Sequence, residues 1–413
     1  MMLFLSNFKS TVLLWFLALA TCGNQPDGLV NTLQEKTGRV EKDSIAPIII
    51  AANRTAEYLP ILKGKAIAVV ANQTSVIFKN EGYIHLVDSL LSLDVNIKKV
   101  FAPEHGFRGQ ADAGEHVKDG LDTQTGLPLI SLYGKNRKPG QEQLNGIDLV
   151  LFDIQDVGVR FYTYIATLQL VMEACAEKGI PVLVLDRPNP NAHYVEGPTM
   201  EAAHTGFLGM TQIPLVYGMT IGEYAMMINE EGWLDGKKKA DLTVIPMENW
   251  THETCYSLPI RPSPNLPNDT AITLYPSLGL FEGTNINAGR GTEFQFQRYG
   301  ASFLDSTVYD FTYTPAPNFG SKYPKEEGKL CYGKDLSQTP RMTEVTMAYI
   351  IDAYTHATDK SKVFITSGFT KHAGTEKLQQ QIMSGLSNND IKASWQEDLN
   401  RFKKIRWKYL VYP

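Results

Sequence analysis

The sequence predicts an α/β protein in which a Rossmann-like, doubly wound parallel sheet is followed by a smaller α/β domain. Short continuous apolar runs alternate with stretches of helical periodicity, as in a parallel sheet covered on both faces. Ionisable residues cluster directly after those runs, where such sheets bind their ligands. Beyond Trp250 the alternation gives way to a Pro- and Gly-rich stretch, after which helical patterns return.

The chain has 413 residues, more than one core usually organises, so two domains are expected, 46–250 and 251–413. A hydrophobic share of 43% and a charged share of 20% suit a globular body, in which no run is apolar for the length a membrane helix needs. The formal net charge of -5 supplies no clustered basic field, so nucleic-acid partners are not expected.

Residues 1–22 differ in texture from the rest: Lys9 is the only charge, and 12–20 (VLLWFLALA) is a short apolar run ending in small residues. This is a signal-peptide pattern. Its end, Leu19, Ala20, Thr21 and Cys22, resembles a lipoprotein signal box, in which the Cys is lipidated and becomes the mature N-terminus; Thr21 stands where Gly, Ala or Ser is usual. A lipoprotein of the cell envelope is expected, touching the membrane through Cys22 only. Residues 23–45 are polar, without apolar periodicity, and read as a tether. Cys175, Cys255 and Cys331 make no disulfide framework.

In the body, 66–71 (AIAVVA) reads as a buried strand, 85–93 as a helix, 97–102 as a second strand and 148–152 (DLVLF) as a third. Leu168, Val171, Met172 and Cys175 recur at helical spacing within a helix over 164–177, and 181–185 (PVLVL) is a fourth strand. A helix over 220–231 and a strand over 242–245 complete this part, and later helices are expected over 344–356, 376–384 and 390–403.

Three strand ends carry ionisable residues: Glu104 and His105 after the second, Asp153 and Asp156 at the third, Asp186 and Arg187 after the fourth. No strand-to-helix turn has the Gly-x-Gly-x-x-Gly that cradles a pyrophosphate, so no nucleotide cofactor is expected. Glu104 and His105 form the sharpest pair. A carboxyl partly screened from water suits a general acid, although an ordinary loop salt bridge to Arg108 explains the same residues. Asp153, Asp156, Arg160, Tyr162 and Tyr164 form a second cluster, able to bind hydroxyls, stack a sugar or hold a metal. Equally, Asp153 or Asp156 caps a helix and pairs with Arg160. His105, Asp112, Glu115 and His116 lack the spacing of a helical metal pair, and no metal is expected. Cys175 lies on an apolar helix face as a buried thiol, and no Gly-x-Ser-x-Gly elbow is present.

Longer motifs narrow this reading: 102–109 (APEHGFRG), 131–134 (SLYG), 152–164 (FDIQDVGVRFYTY), 185–190 (LDRPNP), 196–198 (EGP), 218–223 (GMTIGE), 262–265 (PSPN), 282–285 (EGTN) and 289–292 (GRGT). With them the chain resembles the exo-β-N-acetylmuramidase family of the NamZ type from about Lys63 to its C-terminus. The resemblance implies a Rossmann-like domain joined to a smaller α/β domain, with Glu104 and His105 at the centre of a cleft between them. It also implies release of single N-acetylmuramic acid units from the non-reducing end of peptidoglycan fragments, without a cofactor. Asp153 and Asp156 are the favoured second catalytic groups, ahead of Glu196 and Glu282; the substrate's own acetamido group is the other possibility. Substrate contacts are expected from Arg108, Arg160, Tyr162, Asp186, Arg187, Asn189, Glu196, Asn265, Glu282, Asn285 and Arg290. Arg160, Arg187 or Arg290 is expected to bind the lactyl carboxylate. Asn191, Ala192 and His193 stand where small Gly-rich residues are usual, a change expected at the pocket rim. The competing readings are a metal-dependent amidase and a glycan-binding lipoprotein, the second of which has no need of an acid at Glu104.

Overall fold

The strands follow one another as β1 (Ile67–Ala71), β2 (Val76–Phe78), β3 (Tyr83–His85), β4 (Ile97–Ala102), β5 (Gly120–Leu121), β6 (Pro128–Ser131), β7 (Leu149–Asp153), β8 (Val182–Leu185) and β9 (Leu242–Ile245). They are followed by β10 (Arg298–Ala301), β11 (Phe311–Tyr313) and β12 (Cys331–Asp335). This computed structural model describes residues 46–109 and 119–413. The leader, Cys22, the tether, Asp112, Glu115 and His116 lie outside the described residues.

Seven strands form the main sheet in the order β5-β6-β4-β1-β7-β8-β9. Every pairing is parallel except β5 with β6 at the edge. Without that edge strand the order is that of a Rossmann sheet, starting at β1, moving outward through β4 and β6, then reversing to β7, β8 and β9. Side-chain alternation divides these strands between two cores. Val70, Phe101, Phe152 and Val184 pack on one face, and Val69, Val100, Leu151 and Leu183 on the other. Burial on both faces is why the strands read as continuous apolar runs.

Local signals place the helix ends. His85 caps Leu86–Ser92 by accepting from the Val87 N–H, and Thr220 with Glu223 forms a capping box on Ile221–Glu230. The expected 164–177 helix is Tyr164–Lys178, ended by Gly179 at φ 70°. The expected 390–403 helix is two, Asn388–Ser394 and Gln396–Arg406, separated at Trp395.

The later part of the chain contributes a small antiparallel sheet, β10-β12-β11, and several helices. Ala46–Pro413 is one compact unit. Its C-terminus returns to the main sheet, where Tyr412 donates to Asp186 at 2.6 Å.

One adjacency differs from chain order. β1 lies between β4 and β7, so the strand bearing Asp153 is not the neighbour of the strand leading to Glu104.

Candidate active site

β4 ends at Ala102, and the chain turns at once: His105 has φ 70° and Gly106 φ 77°. A positive φ is costly at a non-glycine residue and marks a position held by its surroundings. His105 is buried, with Nε2 3.2 Å from the Ser263 hydroxyl. The turn leaves Glu104 half-buried, where its Oε2 accepts from the Thr163 hydroxyl at 3.2 Å and its carbonyl from the Tyr164 phenol at 3.4 Å. Tyr133, just beyond β6, is hydrogen-bonded to the same carboxyl; burial, reinforced by Glu104, pushes its phenol up to about 12.

Glu104 opens into a cavity of about 570 Å³ lined by both the main-sheet part and the later part of the chain. One wall is aromatic. Tyr162 lies 4.8 Å from Tyr164 and Tyr275 lies 4.8 Å from Phe296, ring centre to ring centre. Such faces suit the C–H surface of a sugar. The opposite chemistry comes from Glu282, whose carboxylate meets Arg290 at 3.1 Å. Burial raises the Glu282 pKa, but Arg290, Lys325 and His372 outweigh it and hold the carboxyl below its ordinary range. Lys325 is fixed by the carbonyls of Phe281 and Glu282, each at 2.9 Å. The cavity therefore contains two carboxyls in unlike surroundings, one among hydroxyls and one among cations.

Of the residues expected at the site, the structure brings together Glu104, His105, Tyr162, Asn265, Glu282 and Arg290. The others have different surroundings. Arg108 is a clasp between Asp88 and Asp122, each at 2.9 Å, and does not line the cavity. Asp153 and Arg187 are buried against each other. Asp156 is buried on the Gly158 N–H at 2.8 Å and the Tyr217 phenol. Neither Asp156 nor Asp153 lines this cavity.

Arg160 is fully buried without a carboxylate. It donates to the carbonyls of Pro198, Ile213, His372 and Ala373 at 2.7–2.9 Å, tying two distant chain segments together. Asp186 accepts from Thr220 at 2.7 Å and from the Gly222 N–H at 2.8 Å. Asn189 donates to the Met219 carbonyl at 2.8 Å and packs against Gly158, where no side chain would fit. Glu196 accepts from the Trp395 indole at 2.8 Å, and Asn285 donates to the Lys362 carbonyl at 2.7 Å. Arg160, Asp186 and Asn189 are buried and need the partners they have, whereas Glu196 is half-buried and Asn285 exposed; none of the five lines this cavity. His193 is also away from this cavity: its Nε2 faces the Met342 carbonyl at 2.8 Å, and Asn191 lines a second cavity of about 300 Å³.

The Rossmann crevice itself is closed. Beside Arg187 and Gln155 only about 10 Å³ remains, and Gln155 donates to the Pro188 carbonyl at 2.6 Å. The open cavity is displaced to the β4 end. Sequence reading missed Arg137, His204, Phe207, Ser263, Tyr275, Phe296, Lys371 and His372 as lining residues. Ser263 lies in a recognised motif; Lys371 and His372 sit in a helix that carried no signal.

Comparison with known proteins agrees over the whole body. Residues 67–270 match the family described as Exo-beta-N-acetylmuramidase NamZ, N-terminal, and 273–412 match its C-terminal counterpart. The chain is 37% identical over 421 aligned positions to Peptidoglycan beta-N-acetylmuramidase NamZ of Bacillus subtilis, covering 97% of this chain and 98% of that protein. Two crystal structures of DUF1343 family proteins from Bacteroides fragilis share the fold. One has a TM-score of 0.81 at 42% identity and the other 0.74 at 27%, each covering 89% of this chain and 99% of the other.

Proposed function

This chain belongs to the NamZ family of exo-β-N-acetylmuramidases, and from that premise we propose that it is a glycoside hydrolase releasing N-acetylmuramic acid from the non-reducing end of peptidoglycan fragments. The observation that carries this reading is the half-buried Glu104 at the mouth of a bounded cavity that also holds an ion-paired Glu282.

Glu104 donates its proton to the glycosidic oxygen, oriented by Thr163 and Tyr133. As the bond breaks, positive charge develops at the anomeric carbon. Glu282, kept ionised by Arg290 and Lys325, supplies the negative charge that stabilises it, either directly or by polarising the substrate's acetamido group. Water then forms the new bond to the anomeric carbon and gives a proton to the Glu104 carboxylate, which restores the acid. A cavity of this volume is in the range of small-molecule sites, and the exo action is supported by the family to which the chain belongs.

Incubation of the purified protein with reduced peptidoglycan fragments tests the reaction. Free N-acetylmuramic acid should appear as the first sugar product, with no internal oligosaccharides. Release of peptide alone, or binding without cleavage, would overturn it.

The leader supports a second proposal, that Cys22 is lipidated and holds the enzyme at the cell envelope beside its polymer. Cys22→Ser should shift the protein from the detergent-extracted membrane fraction to the soluble fraction. Wild-type protein already soluble would refute the anchor.

A further inference from the structure

We propose that Arg137 recognises the lactyl carboxylate of the sugar ring, an assignment that rests on the proposed muramidase activity and identifies its specificity residue. Muramic acid differs from glucosamine by a lactyl ether on O3, whose carboxylate is the one charge a pocket can use to tell them apart. Three long cationic side chains line the cavity: Arg137, Arg290 and Lys371. Arg290 is engaged with Glu282 at 3.1 Å. Arg108, Arg160 and Arg187, the other arginines in the motifs, do not line the cavity.

Arg137 has the geometry this task needs. Its guanidinium carbon lies 4.2 Å from the centre of the Phe207 ring. Packing on an aromatic face restricts the side chain, and a guanidinium so placed can pair with a carboxylate through two hydrogen bonds. No described Asp or Glu forms an ion pair with it, and the side chain is exposed. Lys371 offers a compact charge without an equivalent platform.

Position agrees with chemistry. Tyr133 is hydrogen-bonded to Glu104 and lies within the field of Arg137, so acid and cation flank one residue. In the substrate, C3 and the anomeric C1 are two ring bonds apart, so a lactyl carboxylate on O3 extends toward a group near, but not at, the acid. Phe207 is itself held in place. It belongs to a tight hairpin closed by reciprocal bonds between Gly206 and Gly209 at 3.1 and 2.8 Å. A side chain at Gly209 would meet Met200 at 2.5 Å and buried Arg160 at 3.0 Å, so the hairpin rests on Arg160. The motif arginine thus supports the platform on which the recognising arginine packs.

Calorimetric titration with free N-acetylmuramic acid and with N-acetylglucosamine tests this independently of turnover. Wild type should favour the muramic acid, and Arg137→Met should weaken that affinity by about ten- to a hundredfold, the range for a charge-assisted contact, while leaving glucosamine binding unchanged. Arg137→Lys should recover part of the loss. Because the side chain is exposed, thermal stability should be unaltered. Equal affinity of wild type and Arg137→Met for muramic acid overturns the assignment, as does a loss seen in Lys371→Met and not in Arg137→Met. An intact affinity difference in a protein that cleaves no glycan supports Arg137 and overturns the proposed reaction instead.

Discussion

Arg187 and Asp153 form a bidentate ion pair, Nε to Oδ1 at 2.6 Å and Nη2 to Oδ2 at 2.8 Å, with side chains only 3% and 0% exposed. It lies at the end of β7, where an open α/β sheet ordinarily binds its ligand, and it fills that crevice. The open cavity lies instead at the end of β4, where Glu104 lines it.

Removing one partner of this pair strands a buried charge. Arg187→Met is expected to lower unfolding free energy by about 3 to 5 kcal/mol in urea denaturation. Adding Asp153→Leu should return much of the loss, because neither charge then remains. A single variant as stable as wild type would refute the structural role.

Glu104→Gln should fold normally and lose at least about a hundredfold in kcat on disaccharide substrates. The loss should be much smaller on an aryl glycoside whose leaving group needs no proton. Equal losses on both substrates would remove Glu104 from the acid role.

Glu282→Gln is expected to be impaired on both substrate types, since charge at the anomeric carbon develops whatever departs. Its depressed pKa sets the sign of the pH effect: Glu282 stays ionised below the usual carboxylate range, and its contribution is lost as pH falls through the folded pKa. Arg290→Met removes the leading opposing charge, so the acid limb of the kcat profile should move to higher pH. An unmoved limb would argue against Glu282 as the ionised partner.

Asp156 behaves oppositely. Burial pushes its pKa up to about 6, although Tyr217 and the Gly158 and Val157 N–H groups oppose the rise. The folded state therefore holds this proton more firmly than the unfolded chain. The stabilisation is complete below the unfolded value of 3.8 and is lost as pH rises through about 6. Asp156→Asn should abolish that component, worth on the order of 2 to 3 kcal/mol. Its melting temperature should fall less than that of wild type between about pH 3 and about pH 7, each about a unit outside the window from 3.8 to about 6. Parallel curves would show that Asp156 is ionised in the fold throughout.

The sequence by itself determined five strands of the main sheet, β1, β4, β7, β8 and β9, and the family. The strands rest on information within a few residues, since a strand buried on both faces is apolar throughout, whereas the helix cap expected from Asp153 or Asp156 is absent and Thr163 stands at that N-cap. Only the tertiary structure decided which polar residues face the cavity. Asp153, Arg160 and Glu282 all lie in motifs, yet the first pairs with Arg187, the second holds four carbonyls, and the third reaches the site. A buried polar group must find a partner, and that partner is brought from elsewhere in the chain by folding, as Arg160 meets His372 and Ala373 across more than two hundred residues. The same applies to Arg137 and Phe207. Neither has meaning along the chain, and their common place at the cavity exists only once the sheet has brought the end of β6 beside the 206–209 hairpin.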